Sequence, residues 1–403
     1  MTKIRYIVLL LLIYSLICVD LRIVGFSIQY LPGAVGAGFP RVSEILAIIF
    51  ILLSLRSWRT NKVTLTSVAI VVLFGVFSFY KPYYSAFYRT SILIPFFLLN
   101  SVLSINLQGR GLLLLKNVFI AISLSSIILI LSTKFDFGLN QYWANRGVQR
   151  YIGFGQSLPY QAMFSLCAIP LFHLLNKLQP RVIYFLLCLL NIAAVVFTGA
   201  RTAYLILIVL IFFYRKDFAR IFKLKYCILI VAVFVLWGQQ YLNVLFGVAN
   251  SRHELNLAGR DIVWGISLNM IADNLIFGIE NYFVEGKKYG NVIAHSQNGF
   301  FELLFWTGII GFSLYMYLHF LVYKYIYRKA IFRETLFGTY FIFGVFMITE
   351  ILFFSVQANF LFIIIIGLYY NISLHNEKDY SFWRLRKSNV YRSILSSFKK
   401  HTQ

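Results

Sequence analysis

Arg201 stands where a charge is least welcome. It falls between two apolar runs, in Thr198-Gly199-Ala200-Arg201-Thr202, and a guanidinium so placed is costly unless it is paired or lines a hydrated cavity. A Gly-Ala-Arg-Thr turn opening a helix also offers free backbone N–H groups, and together with the guanidinium these suit an anionic oxygen. Gly259-Arg260-Asp261 reads in two ways: as a helix start with a surface Arg–Asp pair, worth little energetically, or as a second phosphate clamp. Arg146 and Arg150, in the segment NRGVQR, either rest among lipid headgroups or bind phosphate. His295 lies in Ala294-His295-Ser296-Gln297-Asn298-Gly299, where a lone histidine is more often a hydrogen-bonding residue than a catalyst. No HExxH, no paired His/Cys spacing, no Walker-type glycine loop and no DxD accompanies these groups. No metal or nucleotide cofactor is therefore expected.

What must position these residues follows from composition. Of 403 residues, 60% are hydrophobic, 18% aromatic and only 13% charged, with a mean hydropathy of +0.76. A soluble domain carries about 45–50% apolar and about 25% charged residues, so that class is excluded, and with it intrinsic disorder. Apolar runs of span length recur throughout, which predicts an all-α polytopic membrane protein and not a barrel of short alternating strands. The spans are expected near residues 5–20, 42–56, 63–80, 90–107, 111–133, 157–176, 182–199, 202–214, 225–246, 299–323, 335–355 and 358–374, twelve helices in all. The seventh and eighth are separate because a continuous helix there would run roughly 50 Å through a hydrocarbon core about 30 Å thick. The four cysteines, Cys18, Cys167, Cys188 and Cys227, fall inside apolar runs without CxxC spacing and read as packing residues.

The net charge of +23 would suggest nucleic acid on a soluble chain; here membrane topology explains it, and no nucleic-acid partner is expected. With both ends cytoplasmic, 25 of the 37 basic residues fall on inner segments, as the positive-inside rule requires. The chain then divides into nine helices over 1–246, a large periplasmic loop over 247–298, three helices over 299–374 and a basic cytoplasmic tail over 375–403. The outer loops at 134–156 and 247–298 are long enough to hold chemistry. The larger concentrates Arg252, His253, Glu254, Arg260, Asp261, Trp264, Glu280 and His295. Ile262, Trp264, Ile266 and Leu268 mark a partly buried helix on the membrane surface within Asp261–Met270.

In order and separation, Gly199-Ala200-Arg201-Thr202, Gly259-Arg260-Asp261-Ile262-Val263-Trp264, Leu275-Ile276-Phe277-Gly278-Ile279-Glu280 and His295-Ser296-Gln297-Asn298-Gly299-Phe300-Phe301-Glu302, continuing to Thr307-Gly308-Ile309-Ile310-Gly311, resemble the O-antigen polymerase and O-antigen ligase superfamily over about residues 195–315. The resemblance implies a GT-C-like glycosyltransferase of the bacterial inner membrane, inverting and metal-independent, acting at the periplasmic face on glycans carried by undecaprenyl pyrophosphate. A polymerase moves the growing chain onto a new lipid-linked repeat unit; a ligase moves the finished chain to the lipid A core. Arg201 and Arg260 would hold the pyrophosphate, and His295, Glu280 and Glu254 are the candidates for the base that takes the acceptor proton. Ligase-like members carry His immediately before the Asn-Gly that opens the re-entering helix. This chain has Gln297 before Asn298 and its histidine two positions earlier, a departure that leans towards polymerase. Donor and acceptor lipids, the bilayer and a chain-length regulator are the implied partners.

A flippase for the same lipids is the competing class. Its working charges should line the midplane, often in repeated halves. The deep ionisable residues here are few, with Glu350, His173 and His319 the clearest, and no internal repeat is visible. A scaffold would leave the polar loop at 247–298 unexplained.

Overall fold

The computed structural model describes residues 3–19, 42–58, 62–80, 94–105, 107, 110–132, 135, 140–143, 148–151, 158–221, 260–279, 296, 298–349 and 356–375. Helices fill the apolar runs: α1 (Lys3–Tyr14, continued by a π-helical turn over Ser15–Val19), α2 (Val42–Ser54), α3 (Lys62–Tyr80), α4 (Ile94–Ser104) and α5 (Gly111–Leu131). After a hairpin come α6 (Leu158–Leu178), α7 (Val182–Thr198), α8 (Arg201–Phe213), α9 (Arg215–Ile221) and α10 (Arg260–Asp273), and then α11 (Gly299–Tyr327), α12 (Arg333–Thr349) and α13 (Val356–His375). Each expected span has its helix except 225–246, which lies outside the described residues. Among the described residues, three segments are by length and composition long and apolar enough to cross a bilayer: Gly111–Leu131, Gly299–Tyr327 and Ala330–Thr349.

The all-α expectation holds among the described residues, to which two short strands, β1 (Asn140–Trp143) and β2 (Val148–Tyr151), are a small addition; they pair antiparallel, with Gln141 opposite Arg150.

Packing inside a bilayer cannot draw on expulsion of water, because lipid tails are as apolar as leucine, and polar groups buried between helices act as glue instead. Such a network ties α5, α6 and α7. Ser126 donates to Asn191 Oδ1 at 2.6 Å, Asn191 Nδ2 donates to Ser123 at 2.9 Å, and Ser125 donates to Gln161 Oε1 at 2.9 Å. Cys167 and Cys188 are buried free thiols, in keeping with a packing role.

A second set of contacts gathers the basic segments expected on the inner side at one end of the bundle. Arg5 donates to Ser57 at 3.1 Å, Arg110 lies over the Tyr6 ring, and Lys116 donates to Gln179 at 2.5 Å. Lys177 meets Glu334 at 2.5 Å, and His173 sits between the Asp217 and Glu334 carboxylates. Tyr214 donates to the Glu334 carbonyl at 2.7 Å. These links run through six successive inner segments, the geometry that alternating up and down helices require.

Candidate functional site

At the opposite end from that cluster, α7 stops because Gly199 takes φ 64°, ψ 19° as its left-handed cap. Ala200 is extended, and Arg201 is the first residue of α8. Thr198 caps locally through its hydroxyl to the Val195 carbonyl at 2.6 Å, and the Tyr204 hydroxyl donates to the Val196 carbonyl at 2.8 Å, clasping the break from the α8 side. The expected interruption at Arg201 is therefore real. Strand β2, which carries Arg150, packs against α7. That contact brings the smaller loop segment beside the helix whose outer end leads into the break.

The second grouping forms where α11 begins. Asn298 is the N-cap, its Oδ1 accepting from the backbone N–H groups of Phe300 at 2.9 Å and Phe301 at 3.2 Å. Such a side-chain acceptor satisfies helix donors that otherwise lack partners. Just before it, the Ser296 hydroxyl donates to the Asn298 carbonyl at 2.9 Å and accepts from the Asn298 N–H at 3.2 Å. Glu302, one turn into α11 and 0% exposed, accepts from both the backbone N–H and the hydroxyl of Ser296, the latter at 3.0 Å.

Helix α10 packs on α11. Arg260 opens it, as Arg201 opens α8. The Trp264 ring meets Phe301 edge to face with centroids 6.3 Å apart, and its Nε1 is buried with no hydrogen-bond partner among the described residues. The inward stripe is Ser267, Met270 and Ile271, all buried, with Val263 half-buried, at true helical spacing. Ile262 and Leu268, expected to be part of the buried face, are exposed at 63% and 52%. Each step of two residues turns about 200°, so the four expected side chains cannot all lie on one side of a helix with 3.6 residues per turn.

A backbone joint fixes α10 to α11. Past α10 the chain turns through Asn274–Phe277, and Gly278 adopts φ 76°. Opposite it, α11 is interrupted at Gly308, with φ 59° and ψ −170°, a region open essentially to glycine alone. The two segments exchange hydrogen bonds: Ile279 N–H to the Phe305 carbonyl at 2.7 Å, and Ile309 N–H to the Leu275 carbonyl at 2.8 Å. A Cβ on Gly278 would collide with the Phe305 carbonyl, and one on Gly308 with the carbonyl of Ile276. The glycines of Leu275-Ile276-Phe277-Gly278 and Thr307-Gly308-Ile309 are thus the two halves of one contact, which the spacing of motifs along the chain does not reveal.

Of the site residues expected from sequence, His295, Glu280, Glu254, Arg146 and Gln297 lie outside the described residues. For Arg201, Arg260 and Arg150 the structure gives the backbone position: first residue of α8, first residue of α10, and within β2. Asn298 and Trp264 stand together at the start of α11. Helix α12 packs on both α8 and α11, meeting α8 through Phe213 and Tyr214 at the end away from Arg201. Glu302 and Ser296 received no role from sequence. The available signal was a carboxylate in the first turn of a span-length apolar run, where an ionisable side chain needs a reason.

Residues 185–316 match the family model of the O-antigen ligases. No curated protein matches the chain. The family match runs from α7 to the segment just past the Gly308 interruption. It contains the Arg201 break, α10, the glycine joint and the Asn298 cap, and leaves the hairpin outside. The resemblance to the O-antigen polymerase and ligase superfamily is borne out over the stretch that carries its motifs.

Proposed function

We propose that this membrane protein is a bacterial glycosyltransferase that extends a surface polysaccharide at the periplasmic face, moving a growing glycan from undecaprenyl pyrophosphate onto a lipid-linked repeat unit. One observation carries the reading: both arginines assigned to the pyrophosphate are the first residues of helices, Arg201 of α8 and Arg260 of α10. A helix start contributes unpaired N–H donors and the positive end of its dipole, so each arginine reinforces an anion-binding end.

The chemistry follows from charge. The acceptor hydroxyl attacks the anomeric carbon, the bond from that carbon to the diphosphate oxygen breaks, and the configuration inverts. Negative charge develops on the departing diphosphate, where preorganised guanidinium and N–H donors stabilise it without reorganisation of water. The hydroxyl proton passes to a base, for which His295, Glu280 and Glu254 are the candidates, and His295 adjoins the Ser296–Asn298 turn in sequence. Aromatic groups beside the site, Trp264 and Phe301, suit a sugar face.

The ligase reading is favoured by the description of the matching family, and the polymerase reading by Gln297 before the Asn-Gly; a flippase is the more distant alternative. The reactions leave different products. A deletion strain lacking a polymerase still caps its core with single repeat units, seen on a gel as a ladder collapsed to one rung. Bare core with long chains accumulating on the carrier lipid would identify a ligase and refute the polymerase assignment. In a capsule-producing host the same comparison is made on the exported polymer.

A further inference from the structure

Glu302 is a carboxylate with no place in the reaction as drawn, yet it is fully buried at the start of an apolar helix. Taking such a group out of water costs several kcal/mol unless hydrogen bonds satisfy it. Ser296 offers it two donors, the backbone N–H and the hydroxyl. The hydroxyl's single proton is shared between Glu302 and the Asn298 carbonyl, and the Asn298 side chain caps α11. Reading outward from the helix, Glu302 grips Ser296, Ser296 grips Asn298, and Asn298 grips the first turn that carries Glu302. The loop is closed.

We propose that Glu302 is a positioning residue, whose carboxylate pins Ser296, the neighbour in sequence of His295 and Gln297, against the start of α11. The role rests on the reading of this end of the molecule as the glycan-transfer site. It accounts for a buried acid there, where leucine would be the cheaper occupant, because only an acceptor with oxygens reaching back from the first turn can hold both donors of Ser296. A backbone N–H and a hydroxyl bonded to one carboxylate also leave the preceding peptide little freedom to rotate.

The test uses the full chain in membranes and after purification, with lipid-linked repeat units as substrate, and compares Glu302→Gln, Glu302→Leu and Ser296→Ala. Glutamine keeps an oxygen acceptor in place and should preserve most extension. Leucine removes it, and kcat should fall by about 100-fold, the scale that a misplacement near 1 Å produces, while KM for the acceptor and membrane insertion stay as in the parent. Ser296→Ala retains the N–H donor and should fall between. An arm independent of activity places cysteine at Gln297 and follows its reaction with an impermeant maleimide, with the parent lacking that cysteine as the blank. Adding Glu302→Leu should change the labelling rate severalfold, and adding Glu302→Gln should not. An unchanged rate in the leucine variant overturns the proposal. So does a glutamine variant as inactive as leucine, which would assign the carboxylate a direct role by charge. If the parent protein neither extends nor transfers glycan, the reading of function fails, and the labelling arm still decides whether Glu302 holds the turn.

Discussion

Arg201 and Arg260 are the residues on which the proposed chemistry depends most directly. Each opens a helix, so replacing the side chain leaves the backbone N–H donors in place and isolates the guanidinium's share. Arg201→Ala and Arg260→Ala are each expected to lower glycan extension by about 10²- to 10³-fold, the usual loss when one donor to a developing anion is removed, with the protein still inserted. Lysine at either position should rescue poorly, since a point charge lacks the planar two-pronged geometry. Normal polymer from an alanine variant at normal expression would refute the clamp. The same logic predicts activity in EDTA with purified enzyme and lipid-linked units, because arginines carry the leaving-group charge. Loss on chelation, restored by magnesium or manganese, would overturn that reading.

Among the elements, the joint between α10 and α11 makes the sharpest demand on sequence. Gly308→Ala forces a Cβ into a conformation that costs about 1–3 kcal/mol for other residues, and into the Ile276 carbonyl besides. Lower thermal stability in detergent and a weakened attachment of α10 are expected, whereas Gly75→Ala, whose Cβ would meet nothing within 4 Å, should be harmless. Equal melting of the two variants and the parent would show that the joint bears no strain. The helices were legible in the sequence because runs such as Gly111–Leu131 have span length and few charges, and the α7–α8 break was legible because Arg201 interrupts one. The hairpin was not, since four-residue strands give too little alternation to stand out from a polar loop. The buried stripe of α10 was misread because Trp264 and its apolar neighbours at even spacing drew attention from Ser267, a buried polar residue. The Glu302–Ser296 bonds and the glycine joint depend on residues six and about thirty apart meeting in space, information that periodicity does not contain.

For the whole molecule the deciding property is sidedness. The contacts from Arg5 to Ser57, Arg110 to Tyr6, Lys116 to Gln179, and Lys177 and His173 to Glu334 collect the inner basic segments at one end. The α7–α8 break caps the other ends of α7 and α8, and α11 runs from Asn298 at its start to Lys324 in its last turn. Among the described residues these contacts agree with the alternation that the 25 to 12 partition of basic residues implies. Because the rule places the basic end in the cytoplasm, the Arg201 break and the 247–298 loop are expected outside it, on the side that the proposed glycan transfer requires. Cysteine introduced at Asn291 should react with an impermeant maleimide added to cells whose outer membrane alone has been opened, and cysteine at Lys216, in the basic helix α9, should react only after the inner membrane is permeabilised. The reverse pattern would place the arginines on the cytoplasmic side and remove the periplasmic reaction with them. Labelling of both sites from outside would mean that the helices do not alternate as the shared basic end requires.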